Sequence, residues 1–330
     1  MDRINVGFIG CGGIAQYHFS HFDKMLDKVR IAAACDLIPE RAQKTAERYP
    51  GANVYTDYRE MFKKEKLDAV YICVQPGAHN GMEFCAIEKG VNIFCQKPMT
   101  LDMSYAKKVW AGIKKKKLIS AVGLQCRYSD SWDFIRGFIG RKIASNDIAM
   151  VSAYRIGGFP MVWWWRRFEQ SGGQAVEQTI HNFDILRWIF GEVKQVSSVR
   201  RRGVIRDIED HNSDDASSTL ITFKNGIIGT FNTGCFGGSE GDTTAYYRNG
   251  NIKYSLFGNY TVTEPNRTIT GKPTNDAGQE CDETFVDAVR GDIDRSEILS
   301  PYDDAMKTLA FVFAINKSMD ANGAPVEPEI

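Results

Sequence analysis

The chemistry this chain could do is first visible at Gly10-Cys11-Gly12-Gly13-Ile14-Ala15, a match to G-x-G-x-x-G/A. Each small residue answers a physical need of a strand-to-helix turn. Gly10 allows the tight turn, Gly12 lets the backbone approach a pyrophosphate, and Ala15 keeps the helix close to its sheet. Gly13 and Ile14 open the helix, whose N-terminal amides and positive dipole end attract phosphate. Asp36 closes the next strand-like run about 20 residues later, where a carboxylate accepts hydrogen bonds from an adenosine ribose. A strand before the turn and a helix after it make this a dinucleotide site rather than a chance glycine cluster. Asp36 also selects among dinucleotides, because a 2′-phosphate would meet its charge whereas a free 2′-hydroxyl can donate to it. Leu37 and Ile38 bring no cation, and Arg41 reads as helix surface. NAD is expected rather than NADP.

Two more strand ends, Val74-Gln75-Pro76-Gly77-Ala78-His79 and Cys95-Gln96-Lys97-Pro98, follow the same logic. Ligands of open α/β sheets bind at the carboxyl ends of the strands, so Gln75, Pro76, His79, Gln96 and Lys97 are expected around the dinucleotide. The Lys97 ammonium would reach a substrate beside the nicotinamide. Further on, Glu177, His181 and Asp184 are spaced i,i+4 and i,i+3, which puts them on one face of a helix expected over residues 177–190. Val176, Ile180, Phe183 and Leu186 form a neighbouring apolar stripe that turns the helix inward. Ionisable groups beside a buried stripe need partners or a cavity. They read either as a satisfied histidine with Asp184 as its partner, or as acid–base machinery. Imidazole suits the removal of a hydroxyl proton, and an ammonium stabilises the developing alkoxide. Lys97, His181, Glu177 and Asp184 are the expected catalytic set; Lys97 and His181 could exchange roles. Trp163-Trp164-Trp165-Arg166-Arg167 stands before Gly172-Gly173. Indole packs on sugar rings and guanidinium binds carboxylate or hydroxyl oxygens. Trp165, Arg166, Arg127 and Tyr128 are therefore expected at a substrate, with core or interface packing as the alternative.

Taken together, the turn at 10–15, Asp36, Gln75-Pro76 with His79, and Gln96-Lys97-Pro98 resemble the glucose–fructose oxidoreductase / inositol dehydrogenase / MocA family. That family usually carries Glu-Lys-Pro at the last of these, so Gln96 is a departure. Its second-domain hallmark is an acidic residue, a histidine four later and an aspartate three after that. Glu177, His181 and Asp184 match it, with Glu177 where many members have Asp. The resemblance runs the length of the chain. It implies a Rossmann domain followed by an α/β domain with a large open sheet, and dimers or tetramers built through that sheet. The implied reaction moves a hydride between a hydroxyl-bearing carbon of a sugar, polyol or inositol-like substrate and nicotinamide, with Lys97 in the active site. NAD-dependent glycoside cleavage through a keto intermediate and a non-catalytic dinucleotide-binding regulator are the alternatives; Lys97 and His181 argue against the regulator.

The elements that must position these groups alternate strand and helix as far as Gly123, as crossover connections and a parallel sheet require. Beyond it strands follow one another, and Asn225-Gly226 separates two of them as a hairpin turn, with a second turn expected at Asn249-Gly250. The expected class is α/β: a Rossmann dinucleotide-binding domain over 1–123, then a substrate-binding and oligomerisation domain over 124–330 with a large, mostly antiparallel open sheet. Ser300-Pro301 opens a C-terminal helix expected over about 301–320. The 330 residues carry 41 Lys+Arg against 41 Asp+Glu, a balance without the footprint of a nucleic-acid binder. No apolar run reaches the roughly 18–20 residues that span a bilayer. The start, Met1-Asp2-Arg3-Ile4-Asn5-Val6, has no signal-peptide core, so a cytoplasmic location is expected. The eight cysteines contain no C-x-x-C pair, which points to reduced thiols and no metal site.

Overall fold

The computed structural model describes residues 3–330, so Met1 and Asp2 of the opening run lie outside the described residues. The chain forms two compact units, one reaching to Gln125 and including Gly278–Ala305, the other made of Cys126–Ala277 and Met306–Ile330.

In the first unit β1 (Ile4–Ile9), α1 (Gly13–Phe22), β2 (Val29–Cys35), α2 (Pro39–Arg48), β3 (Asn53–Tyr55), α3 (Tyr58–Lys64), β4 (Ala69–Ile72), α4 (Met82–Lys89), β5 (Asn92–Cys95), α5 (Met103–Lys116) and β6 (Ser120–Val122) follow in turn. Their strands make a six-stranded sheet in the order β3-β2-β1-β4-β5-β6. Every pairing is parallel. The sequence dictates this locally. Pro39 stands at the start of α2, and Asp57 and Asp102 cap α3 and α5 by accepting from the backbone N–H of Arg59 and Ser104. Strand β4, Ala-Val-Tyr-Ile, is buried throughout, as a strand with helices on both faces must be.

The second unit contains α6 (Ser131–Ala144), β7 (Ile148–Ile156), α7 (Phe168–Ser171), α8 (Gln174–Glu177), α9 (Ile180–Phe190), β8 (Val193–Arg201), β9 (Ala216–Phe223), β10 (Ile228–Gly234), β11 (Glu240–Tyr247), β12 (Gly250–Tyr254), β13 (Tyr260–Glu264) and β14 (Arg267–Gly271). Its eight strands run in the order β14-β13-β12-β11-β7-β10-β9-β8. All pairs are antiparallel except β7 with β10. The fold is the α/β arrangement expected, a Rossmann-type parallel sheet and a large, mostly antiparallel second sheet. Gly226 at φ +90° and Asn249 at φ +65° supply the left-handed conformations of the two expected turns.

Helix α10 (Ala277–Arg290) then brings the chain back to the first unit, and α11 (Tyr302–Asp320) ends the elements. A single cut after residue 123 therefore does not describe the chain. The cause lies on α10, whose buried Phe285 sits 5.4 Å from Phe94 and 5.7 Å from Tyr71 in ring-edge contacts. Tyr71 stacks on Phe94 at 4.4 Å, and Phe8, Phe19 and Phe22 complete this aromatic core under the glycine turn. Among the described residues no helix is long and apolar enough to cross a membrane.

Candidate functional site

The first unit builds a dinucleotide cradle from strand ends. Because β1, β2, β4 and β5 are parallel, the glycine turn, Asp36, Gln75 and Lys97 follow their carboxyl ends along one edge of the sheet. Gly10 has φ +85°, and a Cβ there would lie 2.5 Å from the Cys73 carbonyl oxygen, so only glycine fits. Gly12 precedes α1 with no side-chain cap, and the space where Gly13 would carry a Cβ is open to 4 Å. The first amides of α1 and this open ground fit a pyrophosphate. Ala15 is fully buried against the sheet, while Ile14 is exposed.

Asp36 is 9% exposed, and its carboxylate accepts from the backbone N–H of Cys11 at 2.8 Å and of Ile38 at 2.9 Å. It thus ties the glycine turn to the end of β2. Each oxygen retains a second lone pair for a ribose hydroxyl. Arg41 is exposed on α2, as expected, and its Nη1 also lies 3.9 Å from where a Cβ of Gly12 would be.

The other two strand ends are braced from behind. Pro76 is buried in a short 3-10 turn, Pro76–Ala78, that follows half-buried Gln75. The His79 side chain is fully buried, with Nδ1 on Glu83, and Glu83 accepts from the Tyr105 hydroxyl at 2.5 Å. His79 thus braces the turn through Glu83, while its Nε2 is enclosed without a hydrogen-bond partner. Burial would raise the Glu83 carboxyl, but His79 and Tyr105 outweigh it and hold its pKa below the usual value. Gln96 is buried and Lys97 half-buried, joined to Pro98 by a cis peptide. Burial pushes the Cys11 thiol up to about 11 and Cys35 to about 12, so neither is a thiolate near neutrality.

In the second unit the expected helix over 177–190 is broken. Glu177 ends α8, Gln178 and Thr179 turn the chain, and His181 belongs to the first turn of α9. Thr179 causes the break, since its hydroxyl donates to the Gln174 carbonyl at 3.0 Å and its backbone N–H to the same oxygen at 2.9 Å. Gly172 and Gly173, at φ +74° and +85°, lead into α8, and a Cβ on Gly173 would sit 2.9 Å from the Phe168 ring. Glu177 is 4% exposed and His181 half-buried.

Asp184, three residues on from His181 in α9, is held inside the fold. It is 1% exposed and takes both Nε of Arg127, at 2.7 Å, and Nη2, at 2.5 Å, while the Thr308 hydroxyl donates to it at 2.6 Å. Arg127 is equally buried and lies against the Trp188 ring at 5.6 Å. The two form an internal ion pair that leaves neither free to receive a substrate. Tyr128 is also buried, at 5%. Trp165 stands edge-on to Trp164 at 5.7 Å and Arg166 is half-buried; Trp165 Nε1 and Arg166 Nε are enclosed without a hydrogen-bond partner.

Sequence reasoning passed over Arg155. It is the penultimate residue of β7, and its guanidinium lies across Gly157, where a Cβ would be 2.6 Å from Nη1. Gln178 Oε1 accepts from that Nη1 at 3.1 Å, and burial pulls the Arg155 pKa below its usual value. The strand alternation gave no sign that this arginine faces inward to the turn before His181. Among the described residues three His/Cys/Asp/Glu groups have ligand atoms within 4.8 Å of one another: His18, His21 and Asp282; His79, Glu83 and Cys95; His211, Asp215 and Cys235. In each an imidazole is hydrogen-bonded to the carboxylate.

The family profile described as "Oxidoreductase family, NAD-binding Rossmann fold" matches residues 4–124, and the "GFO/IDH/MocA C-terminal domain" profile matches residues 146–253. The chain belongs to the GFO/IDH/MocA family. It is a NAD-binding oxidoreductase of that family. A relative from Thermotoga maritima, named myo-inositol 2-dehydrogenase, is 26% identical over 236 residues, 68% of this chain and 67% of that one. Alignments with the curated relatives span between 55% and 67% of those proteins' length. Among solved structures, the WlbA dehydrogenase of Bordetella pertussis, in complex with NADH and UDP-GlcNAcA, superposes with a TM-score of 0.83 at 19% identity, covering 99% of both chains. A levoglucosan dehydrogenase in complex with NADH and L-sorbose gives 0.85 at 18% identity and covers 100% of both. At these identities the two structures support the family's fold alone.

Proposed function

We propose that this chain is an NAD-dependent dehydrogenase that oxidises a hydroxyl-bearing carbon of a sugar, polyol or inositol-like substrate, or reduces the matching ketone. The observation that carries the reading is the placement of Lys97 two residues past the end of β5, on the sheet edge that also carries the glycine turn and Asp36. The family relatives named inositol dehydrogenases support the substrate class. A bound nicotinamide supplies the hydride acceptor. His181 takes the hydroxyl proton, because imidazole exchanges protons near neutrality. The Lys97 ammonium hydrogen-bonds the same oxygen and stabilises the alkoxide as it develops. Glu177 orients the reacting groups, whereas Asp184 and Arg127 act indirectly, by holding α9 in place. Trp165 and Arg166 are the substrate contacts of this reading. Asp36 favours NAD over NADP, and the working form is a homodimer or homotetramer in the cytoplasm.

The test is a panel of sugars and inositols followed by NADH absorbance, then single substitutions on the best substrate. Lys97→Ala should lower kcat by ~10²–10⁴, with NAD affinity little changed. His181→Ala should cost a similar factor and remove the pH dependence of the base. The two losses should be strongly non-additive, since both groups serve one proton transfer. Native rates in both variants with NAD still bound would sink the reading and favour a dinucleotide-binding regulator.

A further inference from the structure

Behind Lys97 runs a buried polar chain that the proposed chemistry leaves unused. Gln96 is 3% exposed, and its carboxamide is held at both ends. Its Oε1 accepts from the Lys97 backbone N–H at 3.1 Å, and its Nε2 lies 2.7 Å from His18 Nε2. His18, also 3% exposed, sets Nδ1 2.8 Å from Asp282 Oδ2 and 2.9 Å from Oδ1. His21 Nδ1 meets the same carboxylate at 2.6 Å, and Asp282 is fully buried. Gly123 makes the room, since a Cβ there would lie 2.7 Å from both ends of the Gln96 carboxamide.

The direction of these bonds is determined. A backbone N–H can only donate, so the carboxamide oxygen must face Lys97 and the amide NH2 must face His18. His18 Nε2 then has to accept, which leaves the ring proton on Nδ1, where it donates to Asp282. Around His18 stand Asp282 of α10, His21 and Tyr17 of α1, Tyr71 of β4 and Phe94 of β5. Asp282 is the carboxylate in this set. A carboxylate at position 96, the residue usual in the family this chain resembles, would instead accept from His18 Nε2 and demand a second ring proton.

We propose that Gln96 is a positioning residue: it holds the Lys97 backbone at the end of β5 and fixes His18 as the neutral imidazole protonated on Nδ1. The activity part rests on the role proposed above for Lys97; the tautomer part does not. The chain is labelled with nitrogen-15, and each ring is assigned by substitution among its five histidines. In the native chain with NAD, His18 should show a protonated Nδ1 and an unprotonated Nε2. In Gln96→Glu both His18 nitrogens should become protonated. Gln96→Leu, which removes the acceptor from Lys97, should lower kcat by ~10- to 100-fold with KM for NAD changed less than about threefold, as expected for a displaced reacting group. Gln96→Glu keeps that acceptor and should recover most of kcat.

A native His18 protonated on both nitrogens, or on Nε2 alone, overturns the proposal. A folded Gln96→Leu chain at native kcat overturns its positioning half. If the leucine variant does not fold, the kcat of Gln96→Glu decides that half, and a loss as deep as that of Lys97→Ala refutes it. Native rates in Lys97→Ala would instead refute the catalytic reading and leave the nitrogen shifts to decide the tautomer.

Discussion

Asp36 shows how much one carboxylate can do at the end of a strand. It fastens the glycine turn through Cys11 and its own loop through Ile38, so the group that would read the ribose is already held in place. A 2′-phosphate beside it adds like-charge repulsion, ~1 kcal/mol when hydrated and up to ~4 in a partly screened site. NAD should therefore bind about tenfold or more tightly than NADP in a fluorescence titration. Arg41 offers a counter-charge over Gly12, so the same titration on Arg41→Ala separates its partners: equal loss for both dinucleotides marks a pyrophosphate contact, and selective loss of NADP a 2′-phosphate contact. Tighter NADP binding by the native chain would remove Asp36 from this role. Asp184 and Arg127 teach the opposite lesson. Their residue types suggested chemistry, but the bidentate pair they form is internal. Removing one partner leaves a buried charge uncompensated, so Asp184→Ala should lose ~3–5 kcal/mol of stability in denaturant unfolding. A loss under 1 kcal/mol would show the pair to be solvated in solution.

At the scale of elements, what was legible followed from period and punctuation. The strand-turn-helix start, the crossovers up to β6 and the Asn225-Gly226 hairpin carry local signals that a linear reading can find. Helix α9 was legible by its apolar spacing, but its start was not, because the break depends on the Thr179 hydroxyl choosing the Gln174 carbonyl. The β13–β14 hairpin has no such marker, since Pro265-Asn266 lies between short strands without a sustained alternation. Least legible was α10, whose partners His18 and His21 lie more than 260 residues earlier in the chain. That return has a measurable consequence. Burial would raise the Asp282 carboxyl, yet the electrostatic pull of the adjoining His18, with the hydrogen bonds of His18 and His21, outweighs it and holds the folded-state pKa below the ordinary value. A depressed carboxyl stabilises the fold fully above about pH 4 and loses that contribution as pH falls through its folded-state value. Asp282→Asn should therefore lower the melting temperature at pH 7 and flatten its fall between about pH 4 and pH 2. An unchanged acid slope would mean that the carboxylate is not charged in the fold.

At the scale of the molecule the large sheet poses the remaining question. On β9, Ser217, Thr219, Ile221 and Phe223 are buried while Ser218 and Leu220 are exposed, so one face covers the helices and the other lies open. On that open face Ile228, Met150 and Tyr246 stand side by side across β10, β7 and β11, each 39–49% exposed. Leu220 and Val199 extend the exposed apolar surface toward β8, at 50% and 55%. Isolated apolar side chains on a surface need no partner, but a contiguous row across three strands is the kind of patch that a second subunit covers. Two copies related by a twofold axis would bring this patch against itself, which is the closed arrangement most oligomers adopt. The native chain should therefore scatter light as a dimer or tetramer at micromolar concentration. Met150→Arg with Ile228→Arg places four like charges in such an interface, two from each copy, and should yield a monomer of unchanged helix and strand content. A monomeric mass for the native chain would refute the assembly. An oligomer untouched by the double substitution would move the interface to another surface.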